Sequence, residues 1–384
     1  MLTKEKLSNQ LKQLIAIRSL SGNFELNSKV LDLVQTLISE KAVVKRVKNK
    51  TAEILLISNS KKYIMNPEFG FMVHVDVVAA SNEKLWIMQT EQKECITPQD
   101  KQAGKEAISQ TVALGRGVSD MKYSVPIGIS ILNDLIEQNS DRTFTLAITT
   151  DEERGGFDGG SYLANEMKFR PQNLIVPDGG DNWNFVYKAK GILHIRITCK
   201  GRAAHGSRPW KGKNAISLIN KVLYELNSRY EMNNFEPNWN TTMNPGVISG
   251  GVSVNQVCDL ASLEIDFRYP ETTSIEAITK EVEDIAKKVG ADIEIETMSS
   301  GLATFTDPKL PIVKKFIQAM QNNTQSKIFV EQNFGASDAR HFAAFNTPIL
   351  MMKPMGGDIH ENTEWISLDA CIEYEKGLFE FITK

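Results

Sequence analysis

One stretch constrains the chain more than any other: TFTLAITTDEERGGFDGG, residues 143 to 160. Phe144 to Ile148 is a short apolar run bounded by polar residues and reads as a buried strand. The strand runs into Thr149 and Thr150, then into three consecutive acids, Asp151, Glu152 and Glu153. Gly155 and Gly156 let the backbone turn sharply behind them. Adjacent carboxylates at a strand end repel one another, so a positive partner such as a divalent metal would hold them. Taken alone, the same stretch also reads as a solvated acidic turn.

Other segments supply matching chemistry. FGFMVHVDVV, residues 69 to 78, is a second buried strand, interrupted by His74 and Asp76. Neutral imidazole is a preferred zinc ligand, and an Asp two residues on shares its face of an extended strand. Such an acid can orient the ring through its other nitrogen. A hydrogen-bonded core histidine is the alternative. GRGVSDMK, residues 115 to 122, leads from a loop into a helix, with Asp120 near the helix start. Leu174 to Val176 is a short strand ending in PDGG, which places Asp178 after it. Acids at the carboxyl ends of successive strands converge in one crevice of an open α/β sheet. His360 lies in a Gly-rich loop, GGDIHENTEW, after a strand at 348 to 352.

The length of 384 residues suits two domains. From about Phe185 the order becomes strand, helix, strand, strand, helix, strand, which is the ferredoxin-like pattern. The expected fold class is therefore α/β: a split domain with a mixed central sheet flanked by helices, and an inserted ferredoxin-like domain. The expected boundaries are 1–184 for the first segment of the split domain, 185–298 for the insert and 299–384 for the second segment of the split domain. Residues 79 to 114 read as a long surface loop with room for a hairpin, anchored by Trp86. Strands are expected over 187–200 and 327–330, and the Gly loop at 334–345 is expected to lead into a helix.

Composition excludes several classes. A formal charge of -3 gives no basic footprint for nucleic acid. Four scattered cysteines argue against a disulfide framework or a cysteine zinc site. The charged start lacks a cleavage site and reads as no signal peptide, and no apolar run is long enough to span a bilayer. The expectation is a cytoplasmic protein with no membrane or nucleic-acid partner.

His74, Asp120, Glu152, Glu153, Asp178 and His360 make a set suited to paired zinc ions, with manganese or cobalt less frequent. Two such ions about 3.5–4 Å apart can share a bridging carboxylate. HVDVV, GRGVSDMK, TTDEERGG, PDGG, GRAAHGSRP, DFRYP, GASDAR and HENTE, in that order, resemble the motifs of the di-zinc amidohydrolases. That family includes acetylornithine deacetylase, succinyl-diaminopimelate desuccinylase, aminoacylase, carnosinase-type dipeptidases and glutamate carboxypeptidase. The resemblance runs over nearly the whole chain.

The resemblance implies that the split domain is catalytic and the insert a lid or dimerisation domain, with two Zn2+ per subunit and Co2+ or Mn2+ as substitutes. It assigns His74 and Asp178 to one zinc, Glu153 and His360 to the other, and Asp120 as the bridge. Asp76 would be hydrogen-bonded to His74, and Glu152 would be the general base. A cis peptide is implied at Asp120–Met121. His205 would stabilise the oxyanion across a homodimer, Asn255 would contact substrate there, and Arg268 would grip a substrate carboxylate. Without the family, His205 reads as a surface-loop histidine and Arg268 as half of a strand-end salt bridge. Gly335, Ser337 and Arg340 match a substrate-facing loop, most like the desuccinylase form. Departures are Tyr123 where Gly is frequent, Ala79 and Ala80 where proline is usual, the unusual 81–110 loop, and Asn362 one place early, although Glu364 fits. They bear on the pocket near the metals.

The implied reaction is hydrolysis of an amide next to a free carboxylate, in N-acyl amino acids or small peptides, with a succinyl-diaminopimelate desuccinylase-like form included. The alternatives are a di-zinc aminopeptidase or dipeptidase needing a free amino terminus, and a catalytically impaired dimeric binding protein.

Overall fold

Every residue of Ala52–Ser58 is buried, although the segment carries alternating side chains that must point two ways. The computed structural model, which describes residues 1–384, resolves this: both faces of the sheet are covered. Leu55 and Ile57 enter one apolar cluster with Phe71, Val73, Leu146 and Ile148. Ile54 and Leu56 enter another with Met72, Ala147 and Leu174. The chain divides into two units, Met1–Lys188 with Phe305–Asn333 and Ser337–Lys384, and Ala189–Thr304 with Phe334–Ala336.

In the first unit, β1 (Val43–Asn49), β2 (Ala52–Ser58), β3 (Phe69–His74), β4 (Phe144–Thr149) and β5 (Asn173–Ile175) form a six-stranded mixed sheet with Ile349–Leu350. The order is β1-β2-β4-β3-β5 followed by Ile349–Leu350. β4, β3, β5 and the last strand run parallel, which brings their carboxyl ends to one edge. Helices α1 (Lys4–Ala16), α2 (Phe24–Leu37) and α3 (Ser124–Glu137) bury their apolar faces in the first cluster. Thr3 and Asn23 cap the first two by accepting from Lys6 and Leu26 backbone N–H groups.

The second unit contains β6 (Gly191–Lys200), α4 (Ala215–Tyr230), β7 (Thr242–Gly250), β8 (Leu260–Tyr269), α5 (Ile275–Lys288) and β9 (Asp292–Gly301). The sheet order β7-β8-β6-β9, antiparallel throughout, is that of a ferredoxin-like fold. Strict burial alternation along β6 and β8 gives one face to the helices, with Leu193, Ile195, Ile197, Leu263, Ile265 and Phe267 in a separate core.

Several local expectations are refined or corrected. Residues 79 to 114 hold the hairpin that the loop reading left room for: Gln89–Cys95 and Ile108–Leu114 pair antiparallel in a second sheet. Its first strand is almost wholly exposed, so its polar side chains carry no apolar alternation to read. Trp86 is buried. The strand expected over 187–200 is two strands, interrupted at Lys190, whose buried ammonium donates to the Asn240 carbonyl at 2.6 Å. The strand expected at 327–330 begins only at Val330, because the Ile328 N–H goes to the Gln321 side chain instead. The helix expected after the 334 loop is a single short 3-10 segment, Asp338–Phe342. No helix is long and apolar enough to cross a membrane.

Candidate metal centre

His74 is the last residue of β3 and pairs in register with Thr149, the last of β4. The acids 151–153 therefore emerge beside His74, and Asp178 emerges after the neighbouring β5. Asp120 reaches the same edge on a loop turned by Gly117, at φ +83°, and its peptide bond to Met121 is cis. His360 sits in a left-handed conformation at φ +67°.

These side chains converge. His74 Nε2 lies 3.0 Å from Asp120 Oδ1, and His360 Nε2 lies 3.0 Å from Asp120 Oδ2 and 3.3 Å from Glu153 Oε2. His74, Asp120 and Asp178 offer ligand atoms all within 4.8 Å of one another; so do Asp120, Glu153 and His360. Each oxygen of one carboxylate thus serves a different group of donors. Two histidines and three carboxylates without sulfur suit zinc or similar divalent ions. Glu153 Oε1 is buried with no hydrogen-bond partner, an orphan that a cation would satisfy.

The electrostatics agree. Burial, reinforced by the Asp120 charge, pushes the Asp178 carboxyl up to about 8. Burial and the Asp178 charge raise the Glu152 carboxyl well above the usual range. Hydrogen bonds to Asp120 and then Glu153 raise His360 to about 10. Burial opposes charge on both His74 and Asp120, yet hydrogen bonds outweigh it: those of Asp120 and then Asp76 raise the His74 imidazole, and those of His360 and then His74 lower the Asp120 carboxyl. Without added cations the cluster holds protons in their place.

The surrounding shell orients the donors. The Asp76 backbone carbonyl accepts from His74 Nδ1 at 3.0 Å, which leaves Nε2 as the ligand atom. The Asp76 carboxylate stands farther from that ring, at 3.5 Å, and accepts the backbone N–H groups of Glu152 and Glu153 at 3.1 and 3.2 Å. Its closer contacts are thus with the acid pair, not the expected imidazole. Buried Glu364 accepts from the backbone of Gly117, Ser119 and Asp120 and pairs with Arg116 at 2.7 Å. Arg116 also donates to the His360 carbonyl, so one ion pair ties the Asp120 and His360 loops together. Glu364→Ala would strip the buried Arg116 guanidinium of its carboxylate and leave three amides unpaired. A loss of about 3–5 kcal/mol is expected, read as a lower denaturation midpoint by calorimetry.

Tyr123 is fully buried, and its hydroxyl donates to the Pro177 carbonyl at 2.8 Å, so it braces the strand end before Asp178 and fills core space. Arg340 is almost buried, with Nη2 4.0 Å from Glu152 Oε1, and Ser337 caps the Asp338–Phe342 segment. Gly335 belongs to the second unit.

Within that second unit, His205 and Asn255 lie on paired chain segments: His205 is in register with Gln256, and Gly206 donates to the Asn255 carbonyl. His205 is exposed, and its Nδ1 accepts from the Ser207 N–H at 3.1 Å, so Nε2 carries the proton of the neutral ring. Arg268 makes two bonds to Asp266, at 2.8 and 3.1 Å. It borders a cavity of about 550 Å³ lined also by Lys190, Asn238, Asn244 and Phe334.

The Peptidase dimerisation domain family model matches residues 187–294. A probable carboxypeptidase of Aspergillus clavatus is 33% identical over 52% of this chain, a match spanning half the length of that relative. The succinyl-diaminopimelate desuccinylase of Acinetobacter baylyi is 22% identical over 84% of this chain and 86% of its own. The structure of an M20 family metallo-carboxypeptidase from Sulfolobus solfataricus superposes with a TM-score of 0.74 at 16% identity, covering 98% of each chain. The chain is thus similar to M20 family peptidases in its inserted domain, in sequence and in fold. It is an enzyme of the metal-dependent peptidase and amidohydrolase class, and its two donor groups are the fitting place for divalent metal.

Proposed function

We propose that this enzyme is a zinc-dependent hydrolase of amide bonds next to a free carboxylate, acting on N-acyl amino acids or small peptides as a cytoplasmic homodimer. The observation that carries the reading is Asp120, whose two oxygens face His74 and His360 and join two donor groups. In the proposed arrangement His74 and Asp178 would hold one ion, Glu153 and His360 the other, and Asp120 would serve both. Bound zinc, or cobalt or manganese, supplies Lewis acidity and brings the pKa of water toward neutral. Glu152, beside the donor Glu153 but outside both groups, takes the water proton and delivers it to the leaving amine. Asp76 holds the backbone of both glutamates and so fixes their separation. His205 presents its Nε2 proton to the developing oxyanion. Asn255, Arg268, Gly335, Ser337 and Arg340 bind substrate, with the arginines reading carboxylates.

The names of the curated sequence relatives, a probable carboxypeptidase and desuccinylases, support a deacylase or carboxypeptidase, whereas solved structures of the same fold include the aminopeptidase PepT of Bacillus cereus. The test is a panel of N-acetyl and N-succinyl amino acids and free dipeptides, assayed with and without chelator. Cleavage of blocked substrates that stops on metal removal is expected. Cleavage of free dipeptides alone would transfer the enzyme to the aminopeptidase reading, and turnover insensitive to chelator would overturn the metal role. His205→Ala should lower kcat by about 10²–10³-fold with metal content unchanged, measured by steady-state kinetics and elemental analysis. A sedimentation run checks the dimer.

A further inference from the structure

The turn bearing Glu152 and Glu153 is clasped from behind by residues of the Asp338–Phe342 segment. Asp338 is buried, and its Oδ2 accepts from the Thr149 hydroxyl at 3.1 Å, at the strand end immediately before the turn. His341 Nε2 lies 3.1 Å from the Gly155 carbonyl, an acceptor only, so the ring donates there. The same nitrogen is 3.4 Å from Asp338 Oδ1, which has no hydrogen-bond partner of its own. The fit is close enough to exclude side chains: a Cβ on Gly156 would stand 1.9 Å from Asp338 Oδ1, and one on Gly160 2.7 Å from its carboxyl group. Gly155 and Gly156 both have positive φ, at +100° and +63°, conformations that leave the turn free to move unless something fixes it. Asp76 fixes the front of the turn through the amides of Glu152 and Glu153; the Asp338–His341 pair fixes its rear through Thr149 and Gly155.

We infer that Asp338 and His341 are positioning residues that set the place of Glu152 by locking the Thr149–Gly156 turn. The inference rests on Glu152 acting as the base. Neither residue lies in the two donor groups, so locking is separable from metal binding. A displacement of about 1 Å at a reacting group can cost 10²-fold in rate.

The test uses the full-length, metal-loaded enzyme with His341→Ala and the conservative His341→Gln, whose amide N–H can donate to the same carbonyl. His341→Ala should lower kcat by about 10–100-fold with KM and metal content held, and His341→Gln should recover most of that loss. Unchanged kcat, or activity lost in step with metal, overturns the inference. Hydrogen exchange of the 151–160 amides provides a reading that needs no turnover. It should quicken in His341→Ala and return in His341→Gln, and unchanged exchange also overturns the inference. A wild-type protein idle on the whole substrate panel, with the exchange pattern as expected, would sink the hydrolase reading and leave the lock standing.

Discussion

Glu152→Gln should cut kcat by about 10²–10⁴-fold while the metal content stays at the wild-type value. Gln keeps the shape of Glu but cannot accept a proton from water. The replacement leaves both donor groups intact, because Glu152 is in neither. It also leaves the backbone bonds to Asp76 in place, since those use the amide N–H groups. The nearest cationic side chain, Arg340 at 4.0 Å, is close enough to favour the ionised carboxylate yet beyond a hydrogen bond. Without metal, burial and the Asp178 charge raise the Glu152 carboxyl, and bound cations would offset the crowded acids and favour its ionised form. The measurement is kcat beside elemental analysis of the same preparation. A variant retaining most of its activity would remove Glu152 from the base role. One that loses metal with activity would make it a ligand.

The sequence disclosed the donor residues better than their support, and the reason is physical. His74, Asp120, Glu153, Asp178 and His360 interrupt apolar strands or follow them, where a polar residue has to be explained. Parallel strands carry His74, Glu153 and Asp178 to one edge, as β3 paired with β4 and β5 does, and loops bring Asp120 and His360 to it. The supporting residues leave no such trace. Asp338 looks like an ordinary loop acid until Gly156 and Gly160 are seen to make room for it from 180 residues away in the chain. The D-x-x-H spacing of Asp338 and His341 was the available signal, and a lone spacing of that kind is weak. Glu364 was visible only as a motif position; its four partners come from the Arg116–Asp120 loop. Tyr123 looked like an intrusion near the metals because a sequence does not say which way a ring points. Packing turned it into the core, and only its hydroxyl reports to the Asp178 loop. The hairpin at 89–114 was legible only as room within a loop, not strand by strand, since an exposed edge strand carries polar residues on both faces and loses its period.

Metal affinity should depend steeply on pH, and differently at the two donor groups. A cation needs neutral imidazole and ionised carboxylate, so every proton it displaces changes the apparent affinity about tenfold per pH unit. In the group of His74, Asp120 and Asp178, the imidazole is raised well above the ordinary histidine range and Asp178 stands at about 8. Below pH 8 Asp178 is protonated without metal, and the raised imidazole adds a second proton that competes with the ion. Affinity at this group should therefore rise more steeply than about tenfold per unit below pH 8. Asp120 is depressed and already ionised, so it releases none. In the group of Asp120, Glu153 and His360, the imidazole at about 10 stays protonated across the whole interval. Binding there releases its one proton, with a slope of about tenfold per unit. Calorimetric zinc titrations between pH 6 and 8, in buffers of different ionisation heat, count the protons directly. Asp178→Asn should remove one proton from the steeper group and leave the other slope unchanged. Equal slopes at both groups, or affinities flat with pH, would mean that these acids and imidazoles do not hold the ions in the proposed pairs.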